Sequence, residues 1–223
     1  MTTLSFKNFV FDCDSTLVSI EGLDSLSCSE EISMKIRKIT ESGMTGETPF
    51  KDSLQERLSL IKPKKEDLEL LGEKYIESKL PGVKTLFGII GSLGGEVYIA
   101  SGGLKEAIDI FADYAGVKRE NVYGVDLEFD KSGSFKRIAK GSILAEDFGK
   151  ELVLKEISVS GPTVFVGDGM TDVRAGQVCD MFIGFGGVKE REVVRKTCRY
   201  YYKSINLLGL LEYFCNIYVN AER

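Results

Sequence analysis

Short apolar runs recur along this chain and alternate with stretches in which apolar residues have helical spacing. Continuous apolar runs are typical of the buried strands of a parallel sheet, and helices return the chain between such strands. The pattern therefore predicts an α/β fold with a doubly wound, Rossmann-like parallel sheet. The predicted strands are KNFVFD (7–12), EVYIA (96–100), PTVFVG (162–167), MFIGFGG (181–187) and the three tyrosines at 200–202.

The stretch from residue 19 to 80 interrupts this alternation, because it contains no convincing strand. SEEISMKIRKITESGM has the apolar spacing of a helix. Thr48 and Pro49 predict a second helix, with Thr48 as its N-cap and Pro49 at its first position. Pro63 ends that helix, and KKEDLELLGEKYIESKL predicts a third. We therefore expect a core formed by 1–18 and 81–223, and a small all-helical cap formed by 19–80.

The rest of the chain predicts helices between the strands, apart from one hairpin. The hairpin is expected in NVYGVDLEFDKSGSFKRI, around the turn at 131–134. A helix is expected from about Lys150 to the third long strand. The other predicted helices are VKTLFGIIGSLGG, LKEAIDIFADYAG, KEREVVRKT and, at the end of the chain, INLLGLLEYFCNIY.

Composition excludes several classes of function. The chain has 223 residues, a net charge of −5 and no Lys/Arg-rich block, so a nucleic-acid partner is not expected. It has no apolar run long enough for a membrane span, and MTTLSFKNF lacks the shape of a signal peptide. Five cysteines without CxxC spacing suggest a reducing cytosol. There is no histidine, which excludes Ser-His-Asp and Cys-His catalysis and leaves acid–base work to other side chains.

Acidic and small polar residues follow three of the predicted strands. In open α/β sheets ligands bind outside the carboxyl ends of the strands. Converging carboxylates repel unless a cation lies among them, and Mg²⁺ prefers such oxygen ligands. A carboxylate can also attack phosphorus, while hydroxyl, amide and ammonium groups stabilise phosphate oxygens. The residues concerned are Asp12 and Asp14, then Ser101, Gly102 and Gly103, then Asp168 and Asp172, with Lys150 at the start of the preceding helix.

These motifs, in this order, resemble those of the haloacid dehalogenase superfamily of phosphohydrolases. Within it, the chain is similar to the phosphoserine phosphatase family over nearly its whole length. The resemblance implies a Mg²⁺-dependent, cytoplasmic enzyme that hydrolyses O-phosphoserine through an aspartyl-phosphate, the last step of serine biosynthesis. The matching segments are FDCDSTLV, RLSLIKP, ASGG, FVGDGMTDV and FIGFGG.

The resemblance also implies roles for individual residues. Asp12 is the nucleophile, and Asp14 protonates the departing alkoxide before it deprotonates the hydrolytic water. Mg²⁺ is coordinated by Asp12, the Asp14 backbone carbonyl and Asp168, with Asp172 supporting the metal site. Phosphate and substrate contacts come from Ser101, Lys150, Gly102, Gly103 and Thr171.

The predicted cap carries the residues that the resemblance assigns to specificity. Glu21 contacts the substrate ammonium and Arg57 its carboxylate, for which a guanidinium has the right bidentate geometry. A site built to pair a charged group rejects analogues that lack it. The apolar wall around the substrate corresponds to Met44, Gly46 and Phe50.

The sequence leaves some alternatives open. Lys140 is a rival to Lys150 as the phosphate-binding lysine. Lys150 is favoured because it lies 18 residues before Asp168 (168 − 150), which leaves room for one helix and a short loop. A receiver-like signalling domain also phosphorylates an aspartate, but it lacks a second aspartate two residues later and a helical insert. A phosphotransferase of the same fold, or a phosphatase for another small ester such as phosphoethanolamine, remains possible from the sequence. So do a monomer and a homodimer.

Overall fold

The computed structural model describes residues 2–26 and 29–217, and its centre is a parallel sheet of six strands. The strands of the described residues are β1 (Thr2–Leu4), β2 (Asn8–Phe11), β3 (Glu96–Leu104), β4 (Val122–Val125), β5 (Leu127–Phe129), β6 (Phe135–Ile138), β7 (Thr163–Gly167), β8 (Met181–Phe185), β9 (Tyr200–Tyr202) and β10 (Cys215–Ile217). The α-helices are α1 (Glu30–Thr45), α2 (Phe50–Ile61), α3 (Lys65–Glu77), α4 (Val83–Ser92), α5 (Lys105–Ala115), α6 (Gly149–Ser158), α7 (Met170–Ala175), α8 (Glu192–Thr197) and α9 (Leu211–Phe214). None of these helices is both long enough and apolar enough to cross a membrane.

The main sheet has the strand order β4-β3-β2-β7-β8-β9, and every neighbouring pair is parallel. The order reverses at β2, because β3 and β4 lie on one side of it and β7 to β9 on the other. Such a reversal leaves a crevice at the carboxyl ends of the strands, where ligands bind. The predicted doubly wound parallel sheet is therefore confirmed.

The central strands β2 and β7 are buried and mostly apolar, because helices cover both faces of the sheet. Phe9, Phe11 and Phe165 are fully buried. The ring of Phe9 lies 5.0 Å from that of Phe214 in α9, and the ring of Phe11 lies 5.1 Å from that of Phe87 in α4. Burying each such ring contributes about 1.5–3 kcal/mol. The strand ends that carry the polar motifs are thus attached to a rigid core.

Helices α1 to α3 occupy the segment between β2 and α4. The segment leaves and rejoins the sheet region at one place, where the Leu80 N–H donates to the Leu17 carbonyl at 2.9 Å. Helix α3 packs closely against α5: a Cβ at Gly72 would lie only 2.7 Å from the Cβ of Ile110. The predicted helices of this segment are therefore present, and α3 rests on the core.

The start of α2 differs from the prediction. The helix begins at Phe50, so Pro49 lies just before the helix rather than at its first position. The Thr48 hydroxyl does not cap it, because Thr48 Oγ1 is hydrogen-bonded to Ser42 Oγ at 2.6 Å. A tertiary contact with the end of α1 has taken the side chain that the local pattern assigned to capping.

Strand β3 and the hairpin also differ from the prediction. β3 continues to Leu104, so the SGG motif lies within its irregular end, where the register with β4 shifts between Ala100 and Leu104. The predicted hairpin is shorter than expected, because β4 joins the main sheet and only β5 and β6 pair antiparallel.

The predicted C-terminal helix is wrong. The chain forms a 3₁₀ turn at Leu207–Leu210, the short helix α9, and then β10, which pairs antiparallel with β1. Gly209 lowers the helix propensity of this stretch, and β1 presents an edge that a strand can satisfy. Tyr218, the last residue of the predicted helix, and Cys28 lie outside the described residues.

Candidate active site

Strand β2 presents two aspartates at its carboxyl end. The Asp12 N–H donates to the Val166 carbonyl at 2.9 Å, which continues the pairing of β2 with β7. The Cys13 N–H donates to Asp12 Oδ1 at 2.7 Å, so the backbone of the next residue holds the carboxylate in place. Ser15 turns the chain with a φ of 52°, in the left-handed region that few non-glycine residues adopt. The turn keeps Asp12 and Asp14 at one edge of the sheet.

Lys150 is buried in the first turn of α6 and lies between two of the carboxylates. Its Nζ is 2.9 Å from Asp12 Oδ2 and 2.6 Å from Asp172 Oδ1. Burial opposes the charged ammonium, but Asp12 and Asp172 outweigh that effect and raise the pKa of Lys150. Lys140, the rival lysine, is exposed. The fold thus brings Lys150, not Lys140, to Asp12.

Three buried aspartates form a group that fits a metal ion. Asp12, Asp168 and Asp172 each offer a carboxylate oxygen, and these atoms lie within 4.8 Å of one another. Burial raises the pKa of Asp172 to about 7, against the opposing effect of Lys150. An all-oxygen ligand set without His or Cys suits a hard divalent cation. The carboxylate of Asp14 lies outside this group.

Arg191 supplies a second buried cation, which the sequence analysis missed. Its Nη1 contacts Asp168 Oδ2, and its Nη2 lies 3.3 Å from Glu21 Oε1. Arg191 follows β8, whose carboxyl end lies beside that of β7. Its place after a parallel strand was the signal that could have revealed it.

Asp14 is buried next to Tyr75, another residue that the sequence analysis missed. Burial raises the pKa of Asp14 well above its ordinary value, and the Glu21 carboxylate adds to the effect. Asp14 Oδ1 and Tyr75 Oη have no hydrogen-bond partner among the described residues. A Cβ at Gly103 would lie 3.2 Å from Tyr75 Oη and 3.3 Å from Asp14 Oδ2, and a Cβ at Gly22 would lie 2.0 Å from Tyr75 Oη. Two glycines therefore make room for a phenol hydroxyl beside Asp14.

One small cavity is lined by four of the residues predicted to contact phosphate or substrate. They are Phe50, Gly102, Lys150 and Thr171. Gly102 is needed for a close contact, since a Cβ there would lie 2.5 Å from Cζ of the Phe50 ring. Ser101 is buried nearby in β3, and its Oγ accepts a hydrogen bond from the Gly103 N–H at 3.1 Å.

The other two predicted wall residues lie against Gly169 and the start of α7. Met44 Sδ would lie 3.0 Å from a Cβ at Gly169. Gly46 ends α1 with a φ of 80°, and a Cβ there would lie 3.4 Å from the Cβ of Met170. The end of α1 is thus brought against the loop that carries Asp168.

Glu21 and Arg57 lie near each other without forming an ion pair. Glu21 Oε1 accepts a hydrogen bond from Ser15 Oγ at 2.8 Å and faces Arg191. Arg57 is buried, and its Nη1 donates to Thr40 Oγ1 at 3.4 Å. Burial lowers the pKa of the Arg57 guanidinium, and the Glu21 carboxylate opposes this. A cavity of about 340 Å³ has Glu21, Asp24, Thr40 and Arg191 in its wall, and Arg57 reaches it only through its contact with Thr40.

Comparison with known proteins identifies the family. The sequence family model of the haloacid dehalogenase-like hydrolases matches residues 6–180 of this chain. Over 206 residues the chain is 32% identical to the phosphoserine phosphatase of Rattus norvegicus and 31% identical to that of Homo sapiens. In both cases the match covers 91% of this chain and 92% of the relative. This chain belongs to the haloacid dehalogenase-like hydrolases.

Solved structures extend the similarity of this hydrolase to its fold. A phosphoserine phosphohydrolase-like protein from Francisella tularensis has a TM-score of 0.85 and 32% sequence identity, over 92% of this chain and 99% of that one. A substrate-bound phosphoserine phosphatase complex, 24% identical, has the same fold with a TM-score of 0.79. The predicted family resemblance and the predicted class, a phosphoric monoester hydrolase, are confirmed.

Gly102→Ala tests whether the hydrolase needs the contact between Phe50 and β3. The new Cβ would lie 2.5 Å from Cζ of Phe50 and push the ring away. Since displacements of about 1 Å near a reacting group can cost up to 10²-fold, we expect kcat/KM for p-nitrophenyl phosphate to fall at least tenfold.

Gly88→Ala is the matched control for this change. Gly88 lies within α4 with nothing within 4 Å of the new Cβ, so we expect full activity and a gain of up to about 1 kcal/mol in stability. A folded Gly102→Ala protein with unchanged kcat/KM would show that the Phe50 contact does not matter for turnover.

Proposed function

We propose that this hydrolase converts O-phosphoserine to serine and inorganic phosphate with the help of Mg²⁺. The observation that carries the proposal is the pair of aspartates after β2: Asp12 bonded to Lys150, and Asp14 buried with a raised pKa and an unpartnered oxygen. The phosphoserine phosphatases among its relatives support the choice of substrate.

The first step of the proposed reaction transfers the phosphoryl group to Asp12. An Asp12 oxygen attacks phosphorus, and the bond between phosphorus and the serine oxygen breaks. Asp14 gives its proton to the departing alkoxide, which its raised pKa favours because a general acid must begin protonated. Lys150 and the Ser101 hydroxyl stabilise the negative charge on the phosphoryl oxygens.

The second step releases phosphate. Asp14, now ionised, takes a proton from a water molecule whose oxygen attacks the phosphorus of the aspartyl-phosphate. The bond between phosphorus and the Asp12 oxygen breaks, so Asp12 returns as a carboxylate and Asp14 is again protonated. Because one residue serves as acid and then as base, its position beside Asp12 matters in both steps.

Mg²⁺ suits the proposed site because every candidate ligand is an oxygen. Asp12, Asp168 and the backbone carbonyl of Asp14 would hold the ion, and Asp172 would support the ligands through its bonds to Lys150 and the Gly169 N–H. The ion would supply Lewis-acid stabilisation of phosphoryl charge.

The proposed cap, residues 19–80, covers a core formed by 1–18 and 81–223. Support comes from contacts at both ends of the crevice. The Lys51 N–H donates to Asp147 Oδ1 at 3.0 Å, and Lys189 forms an ion pair with Glu41 of α1. In this arrangement the cap excludes water from the transfer step.

We further propose that the enzyme is cytosolic and catalyses the last step of serine biosynthesis.

Replacing Asp12 tests the nucleophile. Asp12→Asn should abolish turnover, because an amide does not attack phosphorus, while the bond between Lys150 and Asp172 keeps the site folded. Asp14→Asn should lose roughly 10²–10⁴-fold in kcat. Phosphate release is the measurement, with circular dichroism as a check of folding, and substantial turnover in Asp12→Asn rules the nucleophile assignment out.

Removing divalent cations tests the metal. Dialysis against a chelator should stop phosphate release, and Mg²⁺ should restore it, because the crowded carboxylates need a cation to hold a dianionic substrate. Ca²⁺ should inhibit, since it takes more ligands at longer distances. Turnover that persists in excess chelator contradicts the proposal.

Arg57→Ala tests the substrate. If Arg57 pairs with the carboxylate of phosphoserine, its loss should cost about 2–5 kcal/mol in kcat/KM for phosphoserine. Phosphoethanolamine and p-nitrophenyl phosphate lack that carboxylate, so their kcat/KM should change little.

The control for this test is Arg119→Ala, which removes the same side chain from an exposed ion pair with Asp113. It should leave all substrates unaffected. If Arg57→Ala lowers kcat/KM equally for every ester, Arg57 supports the fold, and the phosphoserine proposal loses its main physical basis.

A further inference from the structure

The buried guanidinium of Arg191 contacts acidic side chains from two parts of the site. Arg191 is 4% exposed, contacts Asp168 through Nη1 and Glu21 through Nη2, and also approaches the Asp168 carbonyl at 3.4 Å. Its Nε is buried without a hydrogen-bond partner among the described residues. Among the described residues, the ion pairs of this guanidinium are therefore with these two acids.

The two buried cations divide the three aspartates of the metal group between them. Lys150 bonds to Asp12 and Asp172, while Arg191 is the cation at Asp168. A buried carboxylate without a cation is costly, so Arg191 stabilises Asp168 whenever no metal ion is bound.

A divalent cation at Asp168 must compete with this guanidinium. An arginine in a protein does not lose its proton, so its charge cannot be switched off when the metal arrives. Two cations at one carboxylate repel each other, most strongly where water is excluded. Either the guanidinium leaves Asp168 or the metal binds more weakly.

We propose that Arg191 is a positioning residue that acts as a resident counter-cation of Asp168, stabilising the metal-free site and weakening its affinity for the divalent cation. Arg191 remains tied to Glu21 when the metal takes Asp168, so the guanidinium need only swing about its second contact. This inference rests on the proposed Mg²⁺ dependence, but it requires no assumption about the substrate.

The test is the binding of Mg²⁺ alone, measured by isothermal titration calorimetry on the full chain without substrate. Arg191→Gln should tighten the Kd for Mg²⁺ at least tenfold, because it removes one of two competing cations. Arg191→Lys keeps one charge but is too compact to span both acids, so its Kd should lie between those of Arg191→Gln and the wild type. Arg195→Gln, which removes an exposed charge paired with Glu190 nearby, should match the wild type.

Thermal unfolding gives a second readout that a general packing role would not reproduce. Without metal, Arg191→Gln should melt at least about 5 °C below the wild type, because Asp168 and Glu21 lose their shared cation. Saturating Mg²⁺ should close most of this gap, since tighter binding adds more stability. If Arg191→Gln does not fold, a lower Kd for Mg²⁺ in Arg191→Lys than in the wild type supports the proposal.

Two outcomes overturn the proposal. One is a folded Arg191→Gln or Arg191→Lys protein that binds Mg²⁺ no more tightly than the wild type; the other is the absence of Mg²⁺ binding in all variants. Phosphate release by the wild type, assayed in parallel, separates these results from a failure of the proposed function. An active, Mg²⁺-dependent wild type with unchanged Kd in the variants rejects only the role of Arg191.

Discussion

The ammonium of Lys150 links the two strands on which the site depends. It bonds Asp12, which follows β2, and Asp172, which lies in α7 after β7. Both carboxylates are buried, and they would repel each other without a cation between them. The bonds in turn require that β2 and β7 pair in register, as the hydrogen bond from Asp12 N–H to the Val166 carbonyl shows. A shift of one residue would turn Asp12 to the other face of the sheet.

Cations of the protein itself explain how so acidic a crevice folds. Lys150 and Arg191 contact all three aspartates of the group that fits a metal ion. Each pair offsets part of the desolvation cost of its carboxylate, and neither lies on the surface, where such pairs contribute little. The crevice thus combines carboxylates that suit a hard cation with cationic side chains that stabilise those carboxylates before a metal ion binds.

The helical segment completes this crevice by placing large side chains against glycines. Phe50 lies on Gly102, and the Tyr75 hydroxyl fits between Gly22 and Gly103 beside Asp14. The contacts with Gly102 and Gly103 join helices of the segment to β3, whereas Gly22 belongs to the segment itself. The aspartates and Lys150 follow or precede strands of the sheet, while Glu21 and Arg57 come from the segment that carries the helices.

The chain's local patterns were sufficient for the parallel sheet, for the helices of residues 19–80 and for the motifs at three strand ends. Those features depend on hydrophobic periodicity and on residues a few positions apart, which a sequence displays directly. Asp12, Asp14, Asp168 and Asp172 could be named because parallel strands bring their carboxyl ends to one edge. The sequence already favoured Lys150 over Lys140, and the structure brings Lys150 to Asp12. Only the structure replaced the expected last helix by β10 and joined Arg191 to Glu21 across 170 residues. The place of β10 depends on which strand edge is left unpaired. The partner of Arg191 depends on how the helices and strands pack, because its neighbours along the chain do not determine which distant acid it meets.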